Sequence, residues 1–131
     1  GLGIGARFTS EDKPWYVVKK DIKKNIVFVA QGEDNPALFS KQVIAKNVNW
    51  ISKMPKKYPI KLYAKVRYRD NDKICSVFYL KENLYLVKFE SEQKAITPGQ
   101  SIVFYDKSGI CYGGGIISKR DIPFLEEKLD E

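Results

Sequence analysis

Two cysteines and the complete lack of histidine limit the chemistry open to this chain. A serine or cysteine nucleophile paired with histidine is excluded, and so is a zinc site that uses histidine. Cys75 and Cys111 lie far apart in sequence, whereas zinc-binding cysteines come in closely spaced pairs. Free cysteine is among the most buried residue types, so both are predicted to be small buried residues of strands. The sequence therefore predicts neither a catalytic residue nor a metal site.

A cationic segment is the second informative feature. The formal net charge is +7, and between Lys41 and Arg69 the chain has no aspartate or glutamate. Apolar and polar side chains alternate after residue 60, as they do in a half-buried strand. The predicted inner face consists of Ile60, Leu62, Ala64 and Val66. The opposite face, here called the cationic strip, consists of Lys61, Tyr63, Lys65, Arg67 and Arg69.

The cationic strip has two interpretations. A phosphate backbone is attracted to such a surface, because each neutralised phosphate releases condensed counterions. The alternative is an ordinary solvated strand face, since lysines are spread over the whole chain. Arg67 and Arg69 are the best candidates within the strip, because a guanidinium makes paired bonds to phosphate where lysine offers a point charge.

A turn and a glycine run follow the strip. Pro98 presets φ and Gly99 tolerates positive φ, so this pair predicts a type II turn followed by a strand over 101–105. The glycines Gly113, Gly114 and Gly115 predict a tight bend, a bulge or the close approach of another backbone. A nucleotide-binding loop is not predicted from the glycines at 1–5, because no strand precedes them and no helical period follows.

The elements that must position these residues are strands. A hairpin is predicted from strands at 15–19 and 26–30, followed by short strands at 43–50, 60–68, 74–80, 84–89, 101–105 and 110–117. Strands at this density predict an all-β fold: a small antiparallel β-barrel preceded by a β-hairpin. Residues 118–131 form an acidic tail that is predicted to be either a short helix or disordered. The sequence contains no run of about 20 apolar residues that would span a membrane as a helix.

The order of several motifs resembles that of the bacterial tRNA-uridine 2-sulfurtransferases, the tRNA-specific 2-thiouridylases. The matching stretches are 1–5, 14–18 with Lys20 and Asp21, 31–36, 65–69, 95–100 and the glycine strand 111–117. The resemblance covers roughly residues 1–117. Three positions depart from the pattern of that family: Ala6, Asp70 and Glu92.

The resemblance implies an organisation in three parts. Residues 1–40 would be the end of a central linker domain, 41–117 the C-terminal barrel, and 118–131 an added tail. The start without methionine inside a glycine motif is interpreted as an excised C-terminal fragment. In such an enzyme an N-terminal domain binds ATP with Mg, adenylates the wobble uridine, and a persulfide then displaces AMP. The fragment itself is expected to hold no cofactor, to be cytoplasmic and to be inactive alone.

The resemblance also implies tRNA contacts. Arg67, Tyr68 and Gln100 match tRNA-contacting positions of the family, and Lys65 and Arg69 flank the first two. Strict alternation places Tyr68 on the apolar face with Val66, so Tyr68 can instead be an aromatic residue at the edge of the core. The expected partners are the anticodon region of tRNA and a sulfur-relay donor protein, and no membrane. The alternative is a stand-alone basic barrel that binds RNA or the ribosome.

Overall fold

The computed structural model describes residues 9–10, 13–51, 54–66 and 71–121. They form a three-stranded antiparallel sheet followed by a closed six-stranded barrel. The small sheet has the order β1 (Thr9–Ser10), β2 (Lys13–Asp21) and β3 (Ile26–Gln31). Asn25, with φ of 56°, occupies the turn between β2 and β3. The predicted hairpin is therefore confirmed, with strands slightly longer than expected.

The barrel is built from antiparallel neighbours in the order β4-β7-β6-β5-β8-β9, and β9 closes it against β4. A single 3₁₀ turn, Pro36–Leu38, leads into it. Its strands are β4 (Phe39–Trp50), β5 (Ile60–Lys65), β6 (Lys73–Lys81), β7 (Leu84–Lys94), β8 (Ser101–Tyr105) and β9 (Cys111–Arg120). The all-β class and the small antiparallel barrel are confirmed, and β9 continues beyond the predicted end at residue 117.

The barrel core follows from strand alternation. Leu62 and Ala64 of β5 point inward with Phe104 of β8, and each is at most 2% exposed. Residues of the other strands, and Ile96 from the connection between β7 and β8, complete this core: Val43, Ala45, Val48, Cys75, Val77, Tyr85, Val87, Phe89, Ile96, Ile102 and Ile117. A closed barrel leaves no strand edge to cover, so apolar contacts inside it can stabilise the fold without a further layer.

The glycine run lets β9 approach its neighbours. A Cβ on Gly114 would lie 2.5 Å from the Ile102 carbonyl oxygen of β8. A Cβ on Gly115 would lie 2.7 Å from the Lys46 carbonyl oxygen of β4. Gly113 has φ of +155°, and a Cβ at this position would collide with the backbone of Asn49. The close backbone approach predicted for these glycines is confirmed, on both sides of the strand.

Arg120 joins the hairpin to the barrel. It lies at the end of β9 and is 8% exposed. Its guanidinium donates to the carbonyls of Val18 at 3.1 Å and Ala37 at 2.9 Å, and to the Ser40 hydroxyl at 2.8 Å. Beside it, Val18, Ala30, Ala37 and Leu38 form a second, smaller core. The hairpin is thereby attached to the barrel by a buried cation and an apolar contact.

Residues 122–131 lie outside the described residues, so the helix or disorder predicted for the tail stays a prediction. Within the described ranges there is no helix long and apolar enough to cross a membrane.

Candidate nucleic-acid interface

Three residues of the cationic strip, Lys61, Tyr63 and Lys65, lie on the outside of β5, between β6 and β8. Cα register pairs Tyr63 with Tyr105 and Lys65 with Val103 on β8, and Lys61 with Ser76 on β6. Lys61 is exposed, and Tyr63 and Lys65 are half-buried. The alternation predicted for this strand is thus confirmed over the described residues of β5.

Acidic side chains from elsewhere in the chain face the strip. Lys61 Nζ lies 3.0 Å from Glu90 Oε2, and Lys65 Nζ lies 3.6 Å from Asp72 Oδ1. Both pairs are partly open to solvent, where an ion pair is worth about 0–1 kcal/mol. The lysines therefore remain available to a stronger anion. Two positive charges of segment 41–69 are therefore partly neutralised by acidic residues from outside that segment.

Aromatic rings alternate with lysines on this outer surface. Lys65 Nζ lies 5.8 Å from the centroid of the Tyr105 ring, and Lys88 Nζ lies 5.0 Å from that of Phe78. Such distances permit cation–π attraction. Sequence reasoning missed Tyr105, Phe78 and Lys88, which join the strip only through strand register. The alternation of β8, with Ile102 and Phe104 inside, is the signal that could have placed Tyr105 outside.

Gln100 closes the turn that precedes β8. Its backbone N–H donates to the Thr97 carbonyl at 3.3 Å, and Gly99 has φ of 95°. These features confirm the predicted type II turn. The side chain folds back, and its Oε1 accepts the Thr97 N–H at 2.9 Å. The acceptor of this amide is thus used within the turn, and Nε2 is the group left for a ligand.

Gln100 and Lys65 lie at the same end of the barrel. β5 and β8 are antiparallel, so the end of β5 lies beside the start of β8. Arg67, Tyr68 and Arg69 follow within a few residues of Lys65 in sequence. They lie outside the described residues, and their contacts with RNA stay predictions.

The two cysteines differ in their surroundings. Cys75 is completely buried, as predicted, and burial raises the pKa of its thiol to about 12. The prediction of burial is wrong for Cys111, which is half-buried at the start of β9 because its side chain lies outside the core. Among the described residues no group of three or more His, Cys, Asp or Glu side chains could hold a metal ion.

Comparison with known proteins gives a family for the barrel and relatives that match both the barrel and the hairpin. Residues 40–117 match the family described as the aminomethyltransferase β-barrel domain. The chain is 44% identical over 126 residues to the tRNA-specific 2-thiouridylase of Stutzerimonas stutzeri, covering 96% of this chain and 33% of that protein. It is 48% identical over 125 residues to the tRNA-specific 2-thiouridylase of Buchnera aphidicola, covering 95% of this chain and 33% of that protein.

A third relative gives the same result. The tRNA-specific 2-thiouridylase of Psychromonas ingrahamii is 47% identical over 119 residues, covering 91% of this chain and 32% of that protein. The chain thus spans about a third of the length of the curated relatives it matches. The resemblance inferred from the motifs is confirmed.

Proposed function

Because this chain belongs to the aminomethyltransferase β-barrel domain family and is similar over nearly its whole length to part of the tRNA-specific 2-thiouridylases, we propose that it binds tRNA for such an enzyme. In this proposal the chain positions the tRNA, and other parts of the enzyme carry out the reaction. The anticodon region is the part of the tRNA that it holds, because the wobble uridine to be modified lies there.

The observation that carries the proposal is the outer surface of β5 and β8. It brings Lys65, Tyr63 and Tyr105 together, with Gln100 at the same end of the barrel. Lysines supply attraction to phosphate that is independent of sequence. Aromatic rings can stack on unpaired bases, and an amide N–H can donate to the edge of a base. We propose that Arg67, Tyr68 and Arg69, which follow Lys65 in sequence, also contact the tRNA.

We assign adenylation and sulfur transfer to the other domains of the enzyme. Adenylation by ATP with Mg and sulfur transfer from a persulfide need a nucleotide site and accessible thiolates. Cys75 is buried and its pKa is raised, so it is held as a neutral thiol. The half-buried Cys111 is the other cysteine of the chain, and it would have no accessible second thiol with which to relay sulfur. A sulfur-relay donor protein would therefore deliver sulfur to another domain, in the cytoplasm where tRNA is modified.

The alternative is a stand-alone RNA-binding barrel. Similarity to the 2-thiouridylases extends over 96% of the chain and so includes the hairpin as well as the barrel. A separate RNA-binding barrel would not need this hairpin. We therefore favour the enzyme fragment.

The proposal is tested by filter binding of the chain to tRNA over a salt series. If about three phosphates are contacted, the logarithm of affinity should fall against that of salt with a slope of about −2 to −3. Arg67→Ala and Lys65→Ala should each flatten the slope, and Arg67→Ala should weaken binding by roughly 1–3 kcal/mol.

Lys23→Ala is the matched control, because Lys23 is an exposed cation in the hairpin turn, away from the strip. All variants must melt at the temperature of the parent chain. Equal losses for Lys23→Ala and Arg67→Ala would mean that lysine charge acts diffusely and that the strip is not a site. Absence of saturable tRNA binding at low salt would reject the proposal.

A further inference from the structure

An aromatic cluster occupies the end of the barrel opposite Gln100. Its members are Trp50 at the end of β4, Tyr58 before β5, Tyr79 near the end of β6, and Tyr85 at the start of β7. The ring centroids of Tyr79 lie 5.8 Å from Tyr58 and 5.5 Å from Tyr85. Trp50 Nε1 donates to the Tyr85 hydroxyl at 3.1 Å. The cluster is thus a rigid set of rings held by edge contacts and one hydrogen bond.

The aromatic cluster is partly open to solvent. Tyr85 is 3% exposed, but Tyr79 is 50% exposed, with Ile51 and Met54 on the same end at 69% and 64%. One side of the Tyr79 ring therefore rests on Tyr58 and Tyr85 while the remainder faces solvent. An exposed, preordered aromatic ring of this kind offers a stacking surface at little entropic cost.

The charged residues near the cluster indicate what this surface would accept. Lys56, Lys57 and Lys81 are exposed and lie within two residues of Tyr58 or Tyr79 in sequence. Glu82 is the exposed acid nearby, and the carboxylate of Asp106 is occupied by the backbone N–H groups of Ser108 and Ile110. The rim is therefore cationic.

We propose that this end of the barrel stacks an unpaired nucleobase of bound RNA on Tyr79. This inference rests on the proposed tRNA-binding function and extends it to a second contact. An unpaired base presents a flat face to the ring and a phosphate for the lysines. An apolar protein segment would instead desolvate the lysines, which is costly.

The two contacts can be made by one RNA. β5 runs from Ile60 near the cluster to Lys65 at the end that carries Gln100. Five steps of about 3.3 Å separate these ends by about 17 Å. A single-stranded loop can cover that distance along the outer surface of β5.

The direct test uses the two tryptophans of the chain. Trp50 lies in the cluster, and Trp15 lies on β2 of the hairpin. We expect a mixed-sequence single-stranded RNA to shift the indole N–H resonance of Trp50 in a two-dimensional NMR titration and to leave that of Trp15 in place. A duplex of the same sequence should shift the Trp50 resonance much less, because its bases are already stacked.

Variants give the second readout. Tyr79→Ala should weaken affinity for single-stranded RNA about tenfold and leave the salt slope unchanged, because a ring and no charge is removed. Tyr79→Phe should bind like the parent chain. Phe28→Ala is the matched control, since Phe28 is also a partly exposed ring but lies on the hairpin.

The outcomes separate this inference from the proposed function. If affinity for tRNA depends on Lys65 but the Trp50 resonance does not move and Tyr79→Ala matches Phe28→Ala, the stacking site is rejected and the tRNA-binding function stands. If neither tRNA nor single-stranded RNA binds, both are rejected. The titration of the unaltered chain decides the question even if Tyr79→Ala fails to fold.

Discussion

The Gln100 side-chain amide has one atom bonded within the turn and one atom that is proposed to bind RNA. Its oxygen is bonded to the Thr97 N–H and stabilises the turn, while its amide nitrogen is left for a ligand. A substitution by alanine would remove both atoms at once and could not tell a binding role from a structural one. The side chain can, however, be altered at the nitrogen alone.

Gln100→Glu makes that change. A carboxylate oxygen can still accept the Thr97 N–H, so the thermal midpoint should be that of the parent chain. The donor is lost and a negative charge is placed near the RNA, so tRNA affinity should fall at least about fivefold. Filter binding beside a thermal melt measures both. Unchanged affinity in a stable variant would remove Gln100 from the interface.

Cys75 makes stability depend on pH. Its folded pKa is raised to about 12, mainly by burial. An unfolded thiol ionises near pH 8.5, so its contribution to stability is complete below that pH and is lost as pH rises toward the folded pKa. The free energy of unfolding should fall by about 1–2 kcal/mol by pH 10 from this group alone.

Urea unfolding between pH 7 and 10 measures this fall, and Cys75→Val is the control. Valine fills a similar volume and does not ionise, so its profile should be flatter by the amount that Cys75 contributes. The tyrosines contribute equally to the pH dependence of both proteins. They include Tyr58, whose pKa is also raised by burial. Parallel profiles for the two proteins would show that the thiol is not the cause.

At the scale of elements, β9 contributes to the fold in three ways. It pairs with β8 on one side and β4 on the other, and so closes the barrel. Its glycines permit the close approach on both sides. Its last residue, Arg120, donates to carbonyls of the hairpin and the 3₁₀ turn. One strand thus fixes both the barrel and the position of the hairpin against it.

Arg120→Ala should therefore destabilise the chain by about 2–4 kcal/mol, because it leaves buried carbonyls of Val18 and Ala37 without a donor. The hairpin should also become more sensitive to trypsin, which cleaves after its lysines. Urea unfolding and limited proteolysis measure the two effects. Lys41→Ala, which removes an exposed cation on β4, should change neither. A hairpin that stays protected in Arg120→Ala would show that the apolar contact suffices.

At the scale of the whole molecule, the chain pairs a closed barrel with a hairpin whose outer strand is largely exposed. Ile26, Val27, Phe28 and Val29 are each 39–50% exposed. The barrel has its own core, whereas the hairpin depends on Arg120 and on the small cluster around Val18. The barrel should accordingly be the more stable of the two parts.

The chain alone should form no thiouridine from tRNA, ATP and a persulfide donor. It has no histidine, Cys75 is buried as a neutral thiol, and the resemblance assigns nucleotide binding to another domain. Thiouridine is measured in digested tRNA by mass spectrometry, with a full-length 2-thiouridylase as the positive control. Thiouridine formed by this chain alone would show that it contains a catalytic site.

The sequence by itself determined the features that depend on near neighbours. Alternation in β5, the Pro98-Gly99 turn and the hairpin all follow from local backbone geometry and side-chain period. The family resemblance rests on the same short motifs in order. These features were predictable because each involves residues that lie close together in the chain.

Only the tertiary structure decided which distant residues meet. Glu90 and Asp72 reach the strip, the Gln100 oxygen turns inward, and Arg120 bonds to Val18 more than a hundred residues away. The aromatic cluster likewise collects rings from β4, β6, β7 and a connection. The physical reason is register: closing the barrel fixes which positions of separate strands become neighbours, and no local pattern encodes that pairing.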